Sequence, residues 1–198
     1  AADAIMVARG DLGVEIPLEN VPNIQKMIIS KANRRGRMVI IATQMLRSMV
    51  DAPRPTRAEA ADVANGVLDG ADAVMLSAET AIGSYPARAV GAMAVICAEA
   101  EHAADWGRAA DLSGIAEGGA FASATAEASV DTADRLGLST IVAFTESGTT
   151  ARLLSKYRPK ADVYAFTPVV ETYRRMAAYG GVRPMLLDRV YSTDDMIS

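Results

Sequence analysis

"AIMVARGDLGVEIP", residues Ala4–Pro17, decides how the rest of the chain is read. Its first five residues are apolar without alternation, and Arg9-Gly10-Asp11 ends the run. A short continuous apolar stretch bounded by glycine reads as a strand buried on both faces, the kind a parallel sheet contains. Two further stretches repeat the pattern, Met38–Ala42 ("MVIIA") and Ala71–Leu76 ("ADAVML"). Asp11, Thr43 and Ser77 each fall just past the end of one of these strands.

Between the strands the pattern turns helical. Leu18–Arg35 places Ile24, Met27, Ile28 and Ala32 on one face. Its last turn is basic (Lys31, Arg34, Arg35) and Gly36 stops it, as a helix C-terminus prefers. Arg47–Pro55 ("RSMVDAPRP") reads as a polar, proline-marked loop. Thr56 and Glu59 then form a T-x-x-E capping box that opens a helix with Val63, Val67 and Leu68 on its apolar face, ended by Gly70. Pro86 sits in the first turn of a further helix that runs to about Glu101. Strand and helix alternate three times, which implies right-handed parallel crossovers. In such folds, polar groups at the carboxyl ends of the strands carry the chemistry.

Asp105–Gly119 is polar and rich in glycine and alanine, the composition of a connector. A second series follows it: helix Ser123–Leu136, strand Thr140–Phe144, helix Thr149–Tyr157, strand Asp162–Phe166, helix Val170–Tyr179 and strand Val182–Leu187. The last residues before Ser198 read as the start of another helix. The domains expected are thus 1–104 and 121–198, joined by a linker over 105–120.

With 198 residues, 51% of them apolar, the chain can bury a real core and is not of a disordered class. A net charge of −4 gives no basic excess for nucleic acid. No apolar run approaches the roughly 20 residues of a membrane span, and no signal peptide is visible. The single cysteine, Cys97, excludes an internal disulfide framework and fits a reducing compartment. It reads as core, on an apolar face with Val90 and Met93, while His102 reads as solvated. The chain begins with Ala1 rather than Met and reads as a fragment.

Read from the residues alone, Asp11 is either a hard-oxygen metal ligand or the cap of a short turn at Leu12. Gly10 lets the backbone come close to a ligand. Amides at Gly10 and Asp11 can receive a carboxylate as a helix N-terminus receives an anion. Thr43 either hydrogen-bonds a substrate carboxylate or satisfies its own loop. Glu79 reads as a loop ion pair. Arg57 stands in a helix first turn, where positive charge is mildly unfavourable, so it is either solvated or held by a specific partner. "TESGTTA", Thr145–Ala151, joins a strand to a helix. The amides and hydroxyls of Thr145, Ser147, Gly148, Thr149 and Thr150 could there form a nest for a phosphate.

"IMVARGDLGVEIP", "ATQML", "PRPTRAE", "MLSAET" and "FTESGTTARLLSKYRP" together resemble the pyruvate kinases, in order and over nearly the whole chain. Ala78 stands where that family has glycine in "MLSGET". The resemblance implies the last three βα units of a TIM (β/α)₈ barrel followed by an incomplete α/β C-terminal domain that binds effectors. It implies transfer of the phosphoryl group of phosphoenolpyruvate to ADP, giving pyruvate and ATP, in the glycolysis of the cytoplasm. Asp11 would then ligate Mg2+ (or Mn2+), and Gly10, Asp11 and Thr43 would hold phosphoenolpyruvate. Thr43 and Ser77 would be catalytic, with Ser77 on the proton path to the enolate. Arg57 would reach across a subunit interface of a homotetramer, and Thr145–Thr150 would take the phosphate of a sugar-phosphate effector. The family's K+ ligands, catalytic lysine and second metal carboxylate lie upstream of Ala1, so this chain alone is expected to be inactive. Alternatives are an inactive fragment that keeps only sugar-phosphate binding and, on a related barrel, a magnesium-dependent carbonyl-enolate lyase.

Overall fold

A computed structural model describes residues 2–104 and 120–189. The chain divides into two compact units, Ala1–Asp105 and Trp106–Ser198. The proposed connector and the helix start near Ser198 lie outside the described residues.

In the first unit, strands β1 (Ala4–Ala8), β2 (Met38–Ala42) and β3 (Ala73–Met75) form a parallel sheet in the order β1-β2-β3. The register pairs Ala8 with Ala42 and Ala42 with Met75, so the carboxyl ends of all three strands finish at one edge. That edge carries Gly10, Thr43 and Ser77. The connecting helices are α1 (Arg9–Glu15), α2 (Val21–Arg34), α3 (Arg57–Leu68), α4 (Ala78–Ala81) and α5 (Pro86–Ala103).

Burial is one-sided. Val7, Val39 and Ile41 are fully buried against Ile29 of α2, Val63 of α3 and Met93 of α5. Met6, on the opposite face of β1, is 49% exposed, and Val7 is the only buried residue of that strand. The expectation of burial on both faces therefore holds for one face. A strand is dry only where a second layer covers it, and among the described residues that layer is the helices.

Several local readings are corrected. Asp11 stands in the first turn of a helix rather than capping a short turn at Leu12, because α1 begins directly at Arg9. Leu18–Asn20 is a 3-10 turn and the α-helix starts only at Val21, with Pro22 in its first turn, where a missing N–H costs nothing. The buried face of α2 is Val21, Gln25, Ile29, Ala32 and Asn33, while Met27 is 44% exposed. Arg47–Val50 is a 3-10 turn with Met49 fully buried. Cys97 packs at the edge of the core, but its expected neighbour Val90 is 54% exposed. Burial pushes the Cys97 thiol pKa up and Glu101 adds to the shift, so the thiol is a poor nucleophile. His102 is exposed, as read.

The capping box is present in full. Glu59 accepts hydrogen bonds from the Thr56 amide (2.8 Å), the Thr56 hydroxyl (2.9 Å), the Ser48 amide (2.7 Å) and the Ser48 hydroxyl (2.5 Å). Partial burial pushes its pKa up, but these bonds outweigh it and the net shift is downward. A carboxylate depressed in the folded state stabilises the fold above its unfolded pKa, about 4.3 for Glu, and that stability is lost as pH falls through the folded value. Glu59→Gln is therefore expected to lower stability by about 1 kcal/mol near neutral pH. The gap to wild type should narrow between about pH 7 and about pH 3, as falling pH passes the unfolded value and moves toward the lowered folded one. Urea melts at the two pH values check this, and an equal gap at both would refute it.

In the second unit, β4 (Thr140–Phe144), β5 (Asp162–Thr167) and β6 (Val182–Leu186) form a parallel sheet in the order β4-β5-β6. The helices are α6 (Ala120–Leu136), α7 (Thr149–Lys156) and α8 (Val170–Met176). α6 starts three residues earlier than its sequence pattern suggests and α8 ends three residues sooner.

Candidate functional site

The site at the β1–β2 edge is built on an unusual loop. Thr43 and Gln44, directly after β2, have φ of 70° and 55°. Left-handed backbone costs a non-glycine residue about 1–2 kcal/mol, and more is asked of a β-branched threonine. One side chain compensates. Arg9 donates from Nε (3.2 Å) and Nη2 (2.9 Å) to the Thr43 carbonyl and from Nη2 to the Gln44 carbonyl (3.0 Å). Its Nη1 pairs with Asp62 on α3. The loop's shape turns the Thr43 hydroxyl to the Gly10 amide, which donates to Oγ1 at 2.9 Å.

Gly10 and Thr43 are thus brought into direct contact. The Gly10 amide already has an acceptor in Thr43. A Cβ on Gly10 would come no closer than 3.5 Å to Thr43 Oγ1, so packing within the chain leaves room for one. Asp11 is exposed in the first turn of α1 and makes no hydrogen bond or ion pair among the described residues. No three His, Cys, Asp or Glu side chains converge there among the described residues. Asp11 alone fits Mg2+, which takes one or two carboxylates and completes its shell with substrate oxygens and waters.

Ser77 follows β3. Its Oγ is buried without a hydrogen-bond partner among the described residues, which a hydroxyl tolerates at a cost of about 1–3 kcal/mol. Glu79 is 1% exposed and, contrary to expectation, forms no loop ion pair among the described residues. Its carboxylate accepts from the Leu46 amide (3.0 Å) and the Ser77 amide (2.8 Å), tying the loop after β2 to the loop after β3. Arg57 is exposed in the first turn of α3.

In the second unit, Gly148 caps α7 with φ 80°, and a Cβ there would meet Thr172 at 3.2 Å, so the turn demands glycine. The Gly148 amide donates to Thr145 Oγ1 at 2.9 Å, and the hydroxyls of Ser147 and Thr149 lie 2.9 Å apart. Thr150 is exposed in the first turn of α7. From α8, Thr172 donates to the Glu146 carbonyl (2.9 Å) and Arg175 to the Ser147 carbonyl. This leaves two hydroxyls and a guanidinium at an exposed helix N-terminus.

Sequence reasoning missed Arg9, Asp62 and Arg175, and misread Glu79. A signal existed for Arg9, which sits beside the strand-end pair, and for Arg175, one turn after Thr172. Neither partner could be read without knowing which loops meet.

Polar groups gathered at the carboxyl ends of parallel strands lie where α/β enzymes of several architectures carry their chemistry. Comparison with known proteins places the chain within that class. Residues 1–90 match the family described as pyruvate kinase, barrel domain, and residues 123–198 match pyruvate kinase, alpha/beta domain. The chain is 50% identical to a pyruvate kinase of Clostridium acetobutylicum, over all of this chain and 42% of that protein. It is 50% identical to one of Eimeria tenella, over 99% of this chain and 37% of that protein. A crystal structure of a pyruvate kinase from Cryptosporidium parvum superposes with a TM-score of 0.94 at 45% identity, covering 99% of this chain and 40% of that one. The chain belongs to the pyruvate kinase family, with residues 1–90 matching its barrel domain and residues 123–198 its α/β domain. It spans about two fifths of the length of the relatives it matches.

Proposed function

We propose that the whole protein transfers the phosphoryl group of phosphoenolpyruvate to ADP, giving pyruvate and ATP. The carrying observation is the Gly10–Thr43 contact beside the exposed Asp11 at the ends of β1 and β2. A substrate carboxylate would replace Thr43 Oγ1 as acceptor of the Gly10 amide, and the freed hydroxyl would turn to donate to it. Asp11 would hold Mg2+ or Mn2+, whose charge offsets that of the transferred phosphoryl group. When the phosphoryl group leaves, the enolate must take a proton, and the partnerless Ser77 Oγ is the group proposed on that path. K+ is a family requirement that no residue here is proposed to ligate. The proposal is for the whole protein, a cytoplasmic homotetramer with Arg57 at a subunit contact, and not for these 198 residues by themselves. No helix among the described residues is long and apolar enough to cross a membrane.

The test is a lactate-dehydrogenase-coupled assay of the protein as its gene encodes it, with phosphoenolpyruvate, ADP, Mg2+ and K+. Absence of pyruvate would leave the alternatives, a protein that binds only sugar phosphates or a lyase, the latter detected by cleavage of a carbonyl-enolate substrate.

Residues Thr145, Ser147, Gly148, Thr149 and Thr150 are proposed to take an effector phosphate, supported by the hydroxyls and Arg175 around the α7 N-terminus. Ser147→Asp adds a carboxylate where the phosphate would sit and should abolish activation by sugar phosphates while leaving basal turnover within about twofold. Activation equal to wild type would place the effector elsewhere.

A further inference from the structure

Resting on the reading that Thr43 meets the substrate, we propose that Arg9 is a positioning residue. It holds Thr43 and Gln44 in the left-handed conformation that aims the Thr43 hydroxyl. Two consecutive left-handed residues turn their carbonyls to one side, where a single planar fork serves both. Arg9 reaches the Thr43 carbonyl at 2.9 Å and the Gln44 carbonyl at 3.0 Å through the same Nη2. The rest of the guanidinium is not idle. Nε gives Thr43 a second bond at 3.2 Å and Nη1 pairs with Asp62, which fixes the plane of the fork against α3. The Arg9 side chain is only 10% exposed, so water cannot readily replace these donors.

Strained backbone persists only where its surroundings over-determine it. Here the carbonyls of both strained residues are held by one side chain, that of Arg9 at the start of α1. If Arg9 lets go, Thr43 relaxes toward negative φ and its Oγ1 leaves the position 2.9 Å from the Gly10 amide. A lysine keeps the charge that Asp62 meets but presents a point donor rather than a fork. The damage should fall on phosphoenolpyruvate, whose carboxylate uses that hydroxyl, and not on ADP.

The test uses Arg9→Lys, Gln44→Gly and the double variant in the protein as its gene encodes it. Arg9→Lys should lower kcat/KM for phosphoenolpyruvate by about 30- to 100-fold, the scale of loss from misplacing a group by roughly 1 Å. KM for ADP should stay within about twofold. Glycine adopts left-handed backbone freely, so Gln44→Gly added to Arg9→Lys should recover about fivefold or more. A general loosening of the fold would not be repaired by glycine, so this non-additivity separates positioning from mere structure. Arg9→Lys within about threefold of wild type, a loss that Gln44→Gly does not relieve, or failure of Arg9→Lys to fold by circular dichroism would each overturn the proposal. A crystal structure of Arg9→Lys reads the same point without turnover. Thr43 leaving the left-handed region supports the clamp, and Thr43 unchanged on the Gly10 amide overturns it. Inactive wild type would instead sink the functional reading, leaving the crystal structure to decide the clamp.

Discussion

Asp11→Asn in the whole protein is expected to lower kcat by about a thousandfold or more, with little change in stability. The two halves of that expectation have different sources. Asparagine has the shape of aspartate without its charge, and a charged ligand to a catalytic cation carries several kcal/mol of transition-state stabilisation. About 4 kcal/mol is a factor of a thousand in rate. Stability should hardly move, because Asp11 is exposed and has no ion-pair partner among the described residues. What the fold loses is the favourable placement of an acidic group in the first turn of α1, worth about 0.3–1 kcal/mol. The measurement is kcat against Mg2+ concentration, alongside a melting curve. Wild-type turnover at limiting Mg2+ would remove Asp11 from the site. A collapse of the melting temperature would make it a structural residue.

The architecture was legible because it rests on local patterns. Uninterrupted apolar runs at Ala4–Ala8 and Met38–Ala42 gave strands with the predicted bounds, and T-x-x-E gave a helix start with its capping box intact. Readings failed where the answer lay in a different part of the chain. The buried side of α2 is shifted to Gln25 and Ile29 because the sheet, not the apolar count of the helix, chooses the face. Asp11 was read as a strand-end ligand or the cap of a short turn at Leu12, and it stands in the first turn of α1, which forms there without a side-chain cap. At the site, residue type and strand-end position singled out Gly10, Thr43 and Ser77. The left-handed pair at Thr43 and Gln44 was not legible. Neither residue advertises positive φ, and the guanidinium that supports them lies 34 and 35 positions earlier in the chain. Glu79 was misread for a related reason. A carboxylate in a loop suggests a cation, but this one is consumed by backbone amides.

Glu79→Ala is therefore expected to damage the site and the fold together. The side chain is 1% exposed and accepts from Leu46 N and Ser77 N. Alanine would strand both donors at about 1–3 kcal/mol each, and the space left behind adds a cavity cost. A total near 4 kcal/mol corresponds to a fall on the order of 20 °C in melting temperature for a unit of about 100 residues. Glutamine separates the contributions. It fills the same volume and keeps one carbonyl oxygen, but turns an NH2 toward the second amide, so one donor is satisfied and the other is opposed. Glu79→Gln should thus lose about half as much stability as Glu79→Ala. Leu46 lies three residues after Thr43, and Ser77 carries the partnerless hydroxyl, so the loops after β2 and β3 lose their common anchor in either variant. Turnover in the whole protein should accordingly fall at temperatures where both variants are still folded. Differential scanning calorimetry with kinetics well below the melting point reads both effects. Melting temperatures within about 2 °C of wild type for both variants would show that other groups hold the two loops.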